Sequence, residues 1–102
     1  MEKLTKEDLF QLGESDQFLY LYTPLCGTCQ LAAKMLTIVE EAMPSLTIHS
    51  CDLNYIPTLA EEWKIESVPC LLFFKEGQLD KKVYAFQSVE NLYNLFKTYT
   101  AN

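Results

Sequence analysis

Between residues 17 and 43 the chain changes its periodicity once, and abruptly. "QFLYLY", residues 17 to 22, is dense in aromatic and apolar residues and bounded by turn residues, as a strand buried on both faces would be. Pro24 then blocks extension of that strand. From Cys26 onward, Cys29, Ala32, Ala33, Leu36, Val39 and Met43 recur at three and four, a helical stripe whose end is limited by Pro44. At the joint stands "LCGTC", with Cys26 and Cys29 three apart. A buried strand that runs straight into an amphipathic helix narrows the chain to the α/β class.

The flanking segments extend that pattern. "LTKEDLFQL" sets Thr5 three residues before Asp8, a capping-box-like start for a short helix ending near Gly13, and "GESD" reads as a turn. "LTIHSCDL", 46 to 53, reads as a strand, and "IPTLAEEWKI" as a short helix with Pro57 in its first turn. "VPCLLFF" reads as a strand, "KEGQ" as a turn and "KKVYAF" as the partner strand of a hairpin. Ser88 caps a last helix with Leu92, Leu95, Phe96 and Tyr99 on one face. Strands alternating with helices imply a parallel crossover, and the late hairpin adds an antiparallel pair. The expected fold is a mixed central sheet flanked by helices on both faces, and residues 1–102 are expected to form one domain.

Charge and composition exclude several functions. The eight lysines are scattered without any arginine in a chain of net charge −6, which argues against nucleic acid, since that requires a basic patch. No apolar run approaches the ~20 residues needed to cross a membrane. "MEKLTKEDLF" lacks the basic and continuous apolar stretches of a secretory signal, so a cytoplasmic location is expected. Four cysteines in such a chain point to redox or metal chemistry and not to a disulfide framework.

The position of the Cys-X-X-Cys matters more than its presence. The first four N–H groups of a helix have no intrahelical partners, and the macrodipole concentrates positive potential there. Both would stabilise a thiolate at Cys26 and lower its pKa from ~8.5 towards neutrality. No charged side chain lies between Asp16 and Lys34, so the helix terminus must supply most of that shift. Cys29, one turn on, faces the same way, within the ~4.4–6.8 Å Cα separation that a disulfide needs. In exchange chemistry Cys26 would attack a substrate disulfide, Cys29 would resolve the mixed disulfide, and Gly27 and Thr28 would shape the loop between them. Structural cysteines at helix spacing, or a metal site through Cys26, Cys29 and Cys70, are the alternatives. Zinc usually takes four ligands, and no second Cys-X-X-Cys is present.

"PLCGTC" after a buried strand, "SVPC" opening a later strand and "FFKEGQ" running into a hairpin together resemble the thioredoxin family, in its small bacterial-type form. The resemblance spans nearly the whole chain. It implies the thioredoxin fold and exchange with protein disulfides, with no bound cofactor and no bound metal. It also implies a thioredoxin-reductase-like electron donor and a monomeric protein. It further implies that Pro69 is cis, and that the backbone of Val68 pairs with an extended substrate strand.

The departures from the family are specific. Leu25 stands where the family has Trp, and Gly27-Thr28 where thioredoxins proper have Gly-Pro. Tyr20, six residues before Cys26, replaces a buried Asp that would move the proton of the second cysteine. Lys34 replaces the proline that kinks the helix, and Cys70 replaces the usual Thr after the cis-proline. Loss of the Asp should slow resolution, and the Thr hydroxyl and N–H should favour the thiolate and make the disulfide more oxidising. Cys70 is either a buried thiol opening a central strand or a third group close to Cys26. Cys51 reads as core, His49 as a satisfied strand histidine that shares the parity of Cys51, and Trp63 as packing of the short helix. A rival to the enzyme is a binding module of the same fold, which holds a metal or a protein client and exchanges disulfides poorly.

Overall fold

The computed structural model describes residues 1–10 and 16–100, with Phe10 described by its backbone alone. Among the described residues, five strands form one sheet in the order β1-β3-β2-β4-β5. They are β1 (Glu2–Lys3), β2 (Gln17–Tyr22), β3 (His49–Asp52), β4 (Cys70–Lys75) and β5 (Gln78–Val83). The helices are α1 (Lys6–Phe10), α2 (Gly27–Ala42), α3 (Pro57–Glu62) and α4 (Val89–Thr100), with a 3-10 turn at Leu53–Tyr55. β1, β3 and β2 run parallel, and β4 pairs antiparallel with both β2 and β5. The mixed sheet, with its parallel crossover and terminal hairpin, is the architecture read from the sequence.

β2 is the centre of that sheet, and its alternation feeds two cores. Phe18 and Tyr20 point to one face, where Ala32, Leu36 and Val39 of α2 and Leu92 and Phe96 of α4 cover them. Phe18, Phe73 and Phe96 meet there at ring separations of 5.1 to 5.5 Å, within the range in which aromatic pairs add to simple burial. Leu19 and Leu21 point to the other face, against Cys51, Ile56, Cys70 and Leu72, with Leu9 of α1 and Leu59 and Trp63 at the rim. Helices therefore cover both faces, and a strand with no polar side is what this position requires.

Local signals fix most element ends. Thr5 and Asp8 form the reciprocal cap, with the Asp8 carboxylate accepting the Thr5 N–H at 2.9 Å and the Thr5 hydroxyl accepting the Asp8 N–H at 3.2 Å. Pro57 occupies the first turn of α3, and the Ser88 hydroxyl accepts the Asn91 N–H at 3.0 Å. The expected end of α1 near Gly13 and the Gly13–Ser15 part of the "GESD" turn lie outside the described residues.

β1 was not anticipated; two residues carry too little pattern, and the strand exists because β3 offers an edge to pair with. The 46–53 strand shortens to His49–Asp52, although Leu46 and Ile48 still bury their side chains in the first core. The hairpin turn contracts to Glu76-Gly77, both at positive φ (53° and 82°), so β5 begins at Gln78 and ends at Val83, before Tyr84, Ala85 and Phe86. Two such residues make the tight turn whose twist suits a two-residue hairpin. His49 is not satisfied: its Nδ1 is buried without a hydrogen-bond partner among the described residues, and the Glu2 carboxylate stands 4.0 Å away.

Cys70 lies fully buried in the second core, and burial raises its thiol to about 11. An unfolded thiol, at about 9, loses its proton first, so between pH 9 and 11 the unfolded chain binds fewer protons and stability falls.

Two outcomes are expected. Phe96→Ala should destabilise the fold by about 3–5 kcal/mol, as for other buried aromatic truncations, read as a lowered urea midpoint at unchanged slope. With Cys26 and Cys29 kept oxidised, the urea midpoint should drop from pH 9 to pH 10, and Cys70→Ala should drop less. Equal drops would mean that Cys70 is not the titrating group.

Candidate active site

The reactive end of the molecule is built where β2 stops and α2 begins. Cys26 is the N-cap of α2, with extended backbone (φ −107°, ψ 108°), and its Sγ accepts the Cys29 N–H at 3.1 Å. A sulfur thus takes the capping place that a serine or aspartate oxygen usually fills. The Thr28 hydroxyl lies 3.3 Å from the same sulfur, so the Thr that replaces proline adds a second polar hydrogen beside it. Cys26 and Cys29 are joined as a disulfide with Cα atoms 5.1 Å apart, inside the span read from the spacing. Cys26 is half-exposed and Cys29 is buried. Gly27 faces open space, and Leu25 is 100% exposed, so the position that carries Trp in the family presents a bare aliphatic side chain.

Tyr20 stands beneath this turn. Its phenol, 2% exposed, donates to the Cys29 carbonyl at 2.5 Å, tying the first turn of α2 to the central strand. Burial and the neighbouring Tyr22 push its pKa to about 12. It is therefore a fixed donor and no base, as its type requires. Tyr20, Cys29, Lys3 and Ser50 also line a mostly apolar cavity of about 310 Å³ behind the disulfide.

The Val68–Pro69 peptide bond is cis. Pro69 and Thr28 line one shallow hollow of about 310 Å³ together with Leu31, Met35, Tyr84 and Phe86. The proline is thus brought beside the first turn of α2, and Val68, half-buried, precedes it in the loop entering β4. Leu31, Met35, Tyr84 and Phe86 were not singled out from sequence. Leu31 is 61% exposed, and an apolar residue facing solvent in the second turn of α2 is the signal that was available.

Cys70 does not join the pair. Its strand partner is Leu21, whereas Tyr20 pairs with Leu71; Cys70 therefore points to the second core, on the face of the sheet opposite α2. The reading of Cys70 as a third group close to Cys26 is corrected by that parity, which puts the residue after Pro69 behind the sheet. The proposed metal set Cys26/Cys29/Cys70 is likewise not assembled: among the described residues no three His, Cys, Asp or Glu side chains cluster as ligands. Cys51 is buried in the same second core, and the Trp63 ring packs 5.3 Å from that of Phe74.

Comparison with known proteins agrees with the geometry. Residues 3–98 match the thioredoxin family. The thioredoxin-like protein YusE of Bacillus subtilis (strain 168) is 48% identical over 97 residues, covering 95% of this chain and 92% of its own length. A thioredoxin of Staphylococcus aureus is 32% identical over 92 residues, with 88% of each chain covered. A mutant thioredoxin from Halobacterium salinarum NRC-1 superimposes with a TM-score of 0.81 at 20% identity, over 99% of this chain and 91% of the other, which speaks to the fold. With a Cys-X-X-Cys pair at disulfide distance on that fold, the chain belongs to the thioredoxin family and is a thioredoxin-like thiol–disulfide oxidoreductase.

Proposed function

We propose that Cys26 is the attacking thiol, Cys29 the resolving thiol, and Val68–Pro69 the segment that orients a protein disulfide. The observation that carries this reading is the cap: the Cys26 sulfur accepts the Cys29 N–H at the N-terminus of α2. Negative charge on that sulfur meets the unpaired N–H groups and the positive end of the helix dipole. Exposure divides the labour, since an incoming disulfide reaches half-exposed Cys26 and not buried Cys29.

The exchange balances in two steps. The Cys26 thiolate attacks one sulfur of the substrate disulfide, forms a mixed disulfide and expels the other sulfur as a thiolate. The Cys29 thiolate then attacks the Cys26 sulfur, closes the intramolecular disulfide and expels the second substrate thiolate. Two electrons pass from the protein to the substrate. A thioredoxin-reductase-like donor returns them, and the protein works as a monomeric, one-domain carrier in the cytoplasm without a bound cofactor. The hydroxyl of Thr28, 3.3 Å from the Cys26 sulfur, favours the thiolate and so the oxidising end of the family's range.

Equilibration in graded thiol–disulfide buffers, with free thiols alkylated and counted by mass, should give one two-electron transition at Cys26–Cys29. Cys29→Ser should accumulate a mixed disulfide through Cys26 with a reduced-and-reoxidised protein substrate, and Cys26→Ser should not. A transition that requires Cys70, or no trapped species in Cys29→Ser, would remove the exchange assignment and favour a client-binding module.

A further inference from the structure

The substrate-orienting segment assigned above is held from the opposite side of the chain by two residues that the exchange chemistry does not use. The Tyr84 hydroxyl, just beyond β5, accepts the Glu66 N–H at 3.2 Å. The same side chain reaches the thiol of Cys70 closely enough to favour its thiolate against the effect of burial. Glu66 lies two residues before Val68, and Cys70 follows Pro69 directly. One phenol therefore holds the Glu66 end and reaches the Cys70 end of the five-residue stretch that contains the cis peptide. Two positions earlier on β5, the Lys82 ammonium donates to the carbonyls of Trp63 and Lys64, each at 3.1 Å. Those carbonyls close α3, where a cation also opposes the negative end of the helix dipole, and Lys64 sits at positive φ (55°) as the chain turns out of the helix.

The geometry points to Tyr84 and Lys82 as positioning residues for substrate recognition: together they fix the backbone of residues 63–70 so that Val68 presents its N–H and carbonyl in one orientation beside Cys26. Residues 63 to 69 form no regular element, so their orientation depends on such outside contacts. Pairing of an extended client strand with Val68 is sensitive to that orientation, because a main-chain hydrogen bond weakens steeply as its angle departs from linear. A small disulfide, which has no strand to pair, is not sensitive to it. The inference rests on the assignment of Val68–Pro69 to substrate orientation.

The test compares Tyr84→Phe and Lys82→Met with the wild type and with Pro69→Ala. Reduction of insulin, a protein disulfide, is measured beside reduction of 2-hydroxyethyl disulfide and the Cys26–Cys29 midpoint potential. Tyr84→Phe keeps the ring that lines the hollow with Pro69 and removes only the hydroxyl. It should raise KM for insulin about tenfold, the effect of losing one well-placed hydrogen bond. kcat for insulin, the rate with the small disulfide and the midpoint potential should stay within twofold of the wild type. Lys82→Met should act in the same direction. If Pro69→Ala raises KM for insulin and Tyr84→Phe does not, the positioning role falls while the substrate-orienting segment stands. If Pro69→Ala leaves KM unchanged, the assignment of that segment falls and the positioning role with it. Parallel losses with insulin, the small disulfide and the potential in Tyr84→Phe would mark a general structural effect and overturn the inference.

Discussion

The burial of β2 on both faces governs the reactive end of this protein. Phe18 and Tyr20 are required by one core, Leu19 and Leu21 by the other, and a shift of one residue would exchange the two sets. That register cannot slip, so the point at which β2 ends is fixed. Pro24 ends the strand there, and α2 must start within a few residues to cover Phe18 and Tyr20. Cys26 falls at its N-cap as a consequence. The chemistry of the cap is thus inherited from the packing of the strand before it. The Tyr20 phenol completes the link, since one side chain is both a core residue and the donor to the Cys29 carbonyl.

A second set of contacts works at the other wall of the site. Pro69 reaches α2 from the loop that enters β4, and β4 pairs with β2 on one side and β5 on the other. The Leu21↔Cys70 pairing anchors the strand immediately after the proline. It also accounts for the inertness of Cys70: alternation along β4 sends its side chain into the second core, where burial raises its pKa and withholds the thiolate that exchange needs. Proximity in sequence to Pro69 therefore does not bring that sulfur to the disulfide.

The legible parts of the sequence were those in which one residue type serves one physical demand. The doubly buried strand, the helical stripe after Cys26, the Thr5/Asp8 cap and the Ser88 cap are of this kind, and each stands as read. The cis bond before Pro69 came from family resemblance and not from physical pattern. What escaped was set by partners distant in the chain. β1 has two residues and exists through its pairing with β3. The span of β5 depended on a two-residue turn that Glu76 enters at positive φ, where glycine is the easier choice. Tyr84 and Phe86 looked like the end of a strand, and only the meeting of Tyr84 with Glu66, 18 residues earlier, gives the phenol another task. The unsatisfied Nδ1 of His49 was equally invisible, because strand parity says which face a residue meets and not whether that face offers it an acceptor.

Tyr20 changes how a proton must travel in the proposed exchange. A carboxylate at this position would take the proton of Cys29 at neutral pH. A phenol raised to about 12 and committed as a donor to the Cys29 carbonyl cannot. The resolving step then draws on whatever fraction of Cys29 is ionised, and its proton goes to solvent or to the departing substrate thiolate. That leaving thiolate has an ordinary thiol pKa of ~8.5, so it can take up the proton in place of a buried base. Attack by Cys26 is treated differently, because the Cys29 N–H and the Thr28 hydroxyl lie beside its sulfur. The two half-reactions therefore separate in their demands: the first is served by the helix terminus, and the second finds no fixed base at Tyr20. On the proposed mechanism, the missing carboxylate should lengthen the life of the mixed disulfide, and with it the time for which the proposed Val68–Pro69 segment acts on its client.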